Sequence, residues 1–309
     1  MRCVLSAVLL PLILRSCTGA DWCYQTQVSC PSPCNGPDRW SDVYAECGKS
    51  RQSPINIVTK KTKLDERLTP FKFTGYQTLF DSTMKNNGHS VKVSIPITAT
   101  VSGGNLGETY KAVQFHLHWG TNGGPGSEHT IDGEQYPMEL HIVHMKQRYN
   151  RLEDALRDPS GVAVLGFFYE VSSSANKKYD LFTQGLRSIQ NTNGNTTLSK
   201  ISLNQLILSE ANMTNYYRYD GSLTTPGCTE AVVWTVFENP IPLDGEQFRS
   251  GCVLDGCSGI SACVKRFTQR RSGTDCEGKL IKCRTGGIPD DAALAGADFL
   301  SPLLYIAEM

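Results

Sequence analysis

Residues 112–120 read AVQFHLHWG, with two histidines one residue apart in a run that is otherwise apolar or aromatic except for Gln114. Side chains alternate across a strand, so Phe115, Leu117 and Trp119 take one face while Gln114, His116 and His118 take the other. The apolar face belongs against a core. The opposite face carries two imidazoles close enough to grip one metal ion, although a lone His-x-His also suits a polar face turned to solvent. A third ligand has to decide between the two.

Runs of the same texture lie on both sides. MKNNGHSVKVSI (84–95), MELHIVHM (138–145), VAVLGFFYEV (162–171) and AVVWTVF (231–237) are short apolar alternations punctuated by Gly, Pro and Asn, and all read as strands. Helical periodicity is scarce: DLFTQGLRSI (180–189) and SLNQLILSE (202–210) are the best short helices, each opening near an Asp or Ser able to cap it. Residues 71–237 therefore read as one β-rich domain without repeats.

Lys plus Arg and Asp plus Glu both total 30, so no net field concentrates nucleic acid or an anionic surface, and small or neutral partners are expected. The N-terminus has one Arg, an apolar stretch from Val4 to Leu14 and small residues before Ala20, which reads as a signal peptide over residues 1–20. That stretch is too short to span a bilayer core, and no later one is longer. Ten of the twelve cysteines follow it, and secretion makes disulfides their expected fate. No CxxC pair occurs, which excludes a zinc ribbon. NTT at Asn195 and NMT at Asn212 are glycosylation sequons. Beyond Arg249 the chain turns to small residues, cysteines and basic clusters, so residues 251–309 read as a separate, poorly ordered tail.

MELHIVHM supplies the third ligand. On a strand Glu139, His141 and Val143 share one face, while Leu140, Ile142 and His144 take the other. His141 then joins His116 and His118. Three neutral imidazoles leave a tetrahedral position open for water, as catalytic zinc sites do and closed structural sites do not.

Five ordered motifs carry a resemblance: QSPINI (52–57), FHLHWG (115–120), GSEHTIDG (126–133), MELHIVH (138–144) and YDGSLTTPGCTEAVVWTVF (219–237). Together, from about Trp22 to Phe248, they resemble an α-class carbonic anhydrase, most closely the extracellular, lipid-anchored members. The resemblance implies a mainly β (α+β) single domain over residues 21–250, built on a large, twisted, mostly antiparallel sheet with short peripheral helices. It implies a zinc lyase, a carbonate dehydratase that hydrates CO2 reversibly to bicarbonate, and Zn2+ held by His116, His118 and His141.

It also implies roles for the neighbours. Thr224 matches a gatekeeper that orients the attacking oxygen and donates its proton to the carboxylate matched by Glu128, and His89 matches the proton shuttle. Gln114 and Glu139, two residues before ligands on the same faces, are placed to fix ring tautomers. Val143, Val164, Leu223, Thr225 and Trp234 match the substrate pocket. His129 and His144 read as structural. The pairs Cys23–Cys34 and Cys47–Cys228 follow the extracellular members, with Cys30 as the rival partner in the first. The expected protein is an extracellular monomer acting on CO2, bicarbonate and water, and its C-terminus carries no support for a lipid anchor. One departure stands out: the family's final strands, which also supply a backbone carbonyl to the histidine matched by His118, are replaced after ENPIPLDGEQF (238–248). The alternative reading is therefore a zinc-binding but weakly active or inactive extracellular module.

Overall fold

The computed structural model describes residues 22–25, 34–120, 124–252, 279–284 and 303–308. The early strands are β1 Asn56–Ile57, β2 Lys63–Leu64, β3 Phe71–Thr74, β4 Phe80–Asn86, β5 Val91–Ser94, β6 Thr100–Gly103, β7 Tyr110–Trp119, β8 Thr130–Ile131 and β9 Glu134–Gln135. They are followed by β10 Met138–Lys146, β11 Val162–Ser172, β12 Asn195–Ile201, β13 Tyr216–Gly221, β14 Val232–Asp244, β15 Lys279–Arg284 and β16 Leu303–Glu308. Helices are short: α1 Trp40–Val43, α2 Leu152–Ala155, α3 Asp180–Ser188, α4 Leu203–Leu206 and α5 Gly245–Cys252.

One 13-stranded sheet runs β12-β4-β5-β7-β10-β11-β14-β13-β15-β16-β2, with β6 also paired to β7 and β3 to β6. Its pairings are antiparallel except β11 with β14 and β15 with β2. This is the large, mostly antiparallel sheet with short helices that the sequence implies.

At the centre, every residue of β10 and the first eight of β11 are buried. Apolar clusters cover both faces. Phe115, Leu117, Leu140, Ile142, Leu165 and Phe167 belong to one, and Val143, Val164, Tyr219, Trp234 and Val236 to the other. Period-two alternation sorts the histidines accordingly, with His141 on the second face and His144 on the first.

His144 is wholly buried, its Nε2 2.5 Å from the Tyr76 hydroxyl, and burial pushes its pKa down to about 4. The unfolded chain binds this proton near pH 6.5, so the group costs nothing above that pH. As pH falls from 6.5 to 4, the unfolded state gains the proton first and the fold loses up to about 3 kcal/mol. Urea unfolding of the protein followed between pH 7 and 4 should show this loss, and His144→Gln should flatten the slope by about one proton. An identical slope in the variant would mean that His144 protonates freely in the fold.

Helix α4 opens with a capping box in which the Gln205 side chain accepts from the Ser202 backbone N–H at 3.0 Å. Helix α3 departs from the sequence reading. Asp180 is its first residue, Tyr179 is the N-cap, and the carboxylate serves the helix dipole without capping.

Residues 251–309 are expected to stay outside the sheet, and two segments differ. β15 pairs antiparallel with β13, Ile281 opposite Arg218, and β16 pairs antiparallel with β15 and β2. The outer edge of β13 offers unpaired N–H and C=O groups, which an extended segment satisfies. Within 251–309 only 251–252, 279–284 and 303–308 are described, and the signal segment 1–20 lies outside the described residues.

Cys23 is bonded to Cys34, and Cys47 to Cys228 across 181 residues. Closing so long a loop contributes about 5 kcal/mol in the chain-entropy view. Cys30 lies outside the described residues. Asn195 and Asn212 are both exposed.

Candidate metal centre

Strand register builds the centre. His141 lies opposite His116, and Glu139 opposite His118, so all four share one face. The ligand nitrogens of the three histidines fall within 4.8 Å of one another. His118 and His141 are buried and His116 is partly exposed, so the cluster opens to one side.

Hydrogen bonds fix the tautomers. His116 Nδ1 is 3.0 Å from Gln114 Oε1, and His141 Nε2 is 2.7 Å from Glu139 Oε1. Both partners are acceptors, so those ring nitrogens carry the protons and His116 Nε2 and His141 Nδ1 keep lone pairs. The two lone pairs face each other across 3.3 Å. That arrangement repels unless a cation sits between them, and about 3.3 Å is the edge of a tetrahedron with Zn–N bonds of about 2.0–2.1 Å. Both ring nitrogens of His118 are buried without a hydrogen bond among the described residues. Leaving such a group bare costs about 1–3 kcal/mol, which a metal bond to one nitrogen offsets. Three neutral imidazoles with this spacing fit zinc.

Burial holds His116 and His118 well below the usual imidazole range. Lys92, opposite His116 on β5, adds to this for His116. Both rings are therefore neutral and ready to ligate at physiological pH.

Glu139 anchors the ligand strand. Its completely buried carboxylate accepts from the backbone N–H groups of Glu128 and His129, both at 2.8 Å. It also meets His129 Nδ1 at 2.6 Å and His141 Nε2 at 2.7 Å. Burial alone would raise its pKa, but His129 and His141 hold it well below the usual carboxylate range. From His129 the chain of contacts runs on: Nε2 to the Tyr219 hydroxyl at 2.7 Å, that hydroxyl to Ser53 Oγ at 2.8 Å, and Ser53 Oγ to the Ser222 N–H at 3.0 Å. His141 is thus coupled to the loop bearing Thr224. His129, Glu139 and His141 also form a compact donor group, but these atoms satisfy one another directly.

Glu139→Gln should weaken zinc binding roughly 10- to 100-fold, because it exchanges a charged acceptor for an amide while keeping the shape. Titration against a competing chelator measures this, and unchanged affinity would remove Glu139 from the site.

Thr224 is 6 % exposed, on a loop fixed from several sides. Leu223 N–H donates to Thr229 O, Cys228 N–H to Thr225 O, and Gln52 Nε2 to Cys228 O. The Cys47–Cys228 bond locks the same turn, where Gly227 adopts φ +102°, a conformation that favours glycine. Glu128 is 7 % exposed, its Oε2 3.4 Å from His118 Nε2 and 3.8 Å from His141 Nδ1.

Val143, Val164 and Trp234 align in register across β10, β11 and β14, and Leu223 packs against the same cluster. The Trp234 indole lies edge-on to His141 at 4.8 Å and donates to Ser222 O at 3.0 Å. Thr225 is partly buried on the Thr224 loop. His89 sits on the turn between β4 and β5, where Asn87 Oδ1 accepts from the backbone N–H groups of His89 and Ser90.

Sequence reasoning missed Tyr219, Ser53, Lys92 and the linking role of His129. Tyr219 and Ser53 lie inside quoted motifs, but only long-range pairing brings them together.

An open three-imidazole cluster that could hold a metal ion thus lies beside an apolar wall. Residues 35–259 match the eukaryotic-type carbonic anhydrase family, and the chain belongs to that family. It is 40 % identical over 249 residues to carbonic anhydrase 4 of Rattus norvegicus, covering 80 % of each chain. With carbonic anhydrase 4 of Oryctolagus cuniculus the identity is 43 % over 236 residues, 76 % of this chain and 75 % of that protein. With carbonic anhydrase 15 of Mus musculus it is 35 % over 252 residues, 79 % and 76 %.

Proposed function

We propose that this chain catalyses the zinc-dependent, reversible hydration of CO2 to bicarbonate and a proton, outside the cytosol. The observation that carries the reading is the pair of tautomer-fixed histidines whose lone pairs converge with His118 next to an apolar wall. His116, His118 and His141 would hold zinc, which would supply a Lewis acid that makes bound water nucleophilic near neutral pH, the pKa of such water in carbonic anhydrases being about 7.

The protein does the rest. Gln114 and Glu139 hold two ligand rings in their working tautomers. Thr224 donates its hydroxyl proton to Glu128 and presents a lone pair to the attacking water, which orients that oxygen. Val143, Val164, Leu223 and Trp234 give CO2, which has no net dipole, a dry surface, while Thr225 borders it. Charged bicarbonate is held poorly there and leaves. His89 accepts the released proton and passes it to buffer.

The two disulfides and the exposed sequons support an oxidising, extracellular setting. Among the described residues no helix is long and apolar enough to cross a membrane. A second reading, a zinc-binding module with little turnover, is favoured by His118 Nδ1, which lacks a hydrogen-bond partner among the described residues. Stopped-flow CO2 hydration by the chelator-stripped and zinc-reloaded full chain separates the two. Activity that disappears and returns with zinc supports the enzyme; zinc uptake without hydration above buffer supports the module.

A further inference from the structure

Two lysines on the sheet have no role in the proposed reaction. In the hairpin of β4 and β5, Lys85 lies directly opposite Lys92, and Lys92 lies directly opposite His116 on β7. On the other side of β4, Asn195 of β12 lies opposite Lys85. With His141 opposite His116, one cross-strand row reads Asn195, Lys85, Lys92, His116, His141 from the edge of the sheet to the candidate metal centre. Directly opposite residues project from the same face of a sheet, so both lysines stand on the face that carries the three histidines.

That face changes character along the row. Met84 and Asn86 of β4, and Val91 and Val93 of β5, are buried on the reverse side. Thr83, Lys85, Lys92 and Ser94 are exposed, as are Asn195 and Thr197 on β12. Beyond His116, every residue of β10 is buried. The solvent-facing part of the sheet is thus a polar ledge that ends at the partly exposed His116.

Neighbouring strands hold the Cβ atoms of opposite residues about 4.5–5.5 Å apart, so two lysines in that relation repel. A carboxylate between them would relieve the repulsion, but neither lysine makes an ion pair or a side-chain hydrogen bond among the described residues. Asp81 is on the same face of β4, about 13 Å further along the strand, and its carboxylate accepts from Lys200 N–H at 2.7 Å. A small oxyanion suits such a pair, because its charge is spread over several oxygens and each ammonium is a point charge with three donors. The proposed reaction has one such species, bicarbonate. CO2 carries no charge on which the pair could act.

We propose that Lys85 and Lys92 form an oxyanion-binding ledge that takes bicarbonate on its way to and from the metal centre. The choice of bicarbonate rests on the proposed hydration, whereas the cation pair does not depend on bound zinc.

The test therefore uses the chelator-stripped full chain, in which no anion can bind through metal. Two-dimensional 1H–15N NMR spectra are recorded as bicarbonate replaces chloride at constant ionic strength. Three proteins are compared: the wild-type chain, Lys85→Gln/Lys92→Gln, and Lys60→Gln/Lys61→Gln, which removes two adjacent exposed lysines elsewhere. Saturable shifts of the amides at 85 and 92 are expected in the wild-type chain. Affinity should be about tenfold weaker in Lys85→Gln/Lys92→Gln, since two exposed ion pairs each contribute a factor of a few, and unchanged in Lys60→Gln/Lys61→Gln. Shifts that grow without saturating, or equal affinity in the two double variants, would overturn the ledge. Stopped-flow hydration by the zinc-reloaded wild-type chain keeps the two readings apart. Saturable binding without hydration would support the ledge and defeat the hydration reading, and hydration without saturable binding would do the reverse.

Discussion

His141→Ala is expected to abolish zinc binding and CO2 hydration together. The substitution removes one of the three proposed ligands and also strips the Glu139 carboxylate of a charge-assisted partner at 2.7 Å in a completely buried site. Losing the partner of a buried charge costs about 3–5 kcal/mol, so the variant should unfold more easily as well as lose metal. The loss of affinity should exceed the roughly 10- to 100-fold expected for Glu139→Gln, which touches only the support of a ligand. Zinc content after dialysis, with circular dichroism to establish the fold, measures the effect. Full zinc occupancy in the folded variant would remove His141 from the ligand set.

Thr224→Ala should separate binding from catalysis. The side chain is buried on a loop whose backbone is held by Ser53, Gln52, Thr229 and the Cys47–Cys228 bond, so removing its hydroxyl leaves the loop in place. Zinc should bind as before, while kcat/KM falls about 10²- to 10³-fold, the loss typical of one preorganised group aimed at the reacting atoms. Thr224→Ser keeps the hydroxyl and should recover most of the rate. Equal turnover in Thr224→Ala would end the gatekeeper role.

The sequence discloses this site where a local rule governs it. Period-two alternation separates His116 and His118 from Phe115 and Leu117, and His141 from His144, because successive side chains on a strand face opposite ways. The same rule pairs Gln114 with His116 and Glu139 with His141. What it does not disclose is set by register and by contacts across long separations. That His141 falls opposite His116 depends on how β7 and β10 align, with a shift in register at Val143/His144. His129, Tyr219 and Ser53 meet through pairings 90 and 166 residues apart.

The departures have the same origin. KLIKCR (279–284) and LLYIAE (303–308) look like weak runs in a polar tail, and pairing decides their state, because β13 and β2 offer edges to complete. Asp180 resembles a cap in sequence, yet the preceding turn around Lys177–Tyr179 carries the chain into α3 one residue earlier. Cys23 had two candidate partners, and the bond to Cys34 closes the isolated bridge between Trp22 and Asn35.

Every functional step above rests on an open zinc position bounded by three imidazoles, and Glu128 is the group best placed to close it, with Oε2 3.4 Å from His118 Nε2. Zinc K-edge X-ray absorption of the reloaded full chain addresses this directly. Three imidazole nitrogens at about 2.0–2.1 Å with one exchangeable oxygen, which shifts when a small anion such as azide is added, is the expected result. A fourth protein ligand that azide does not displace would mean a closed, structural zinc site and would contradict the account.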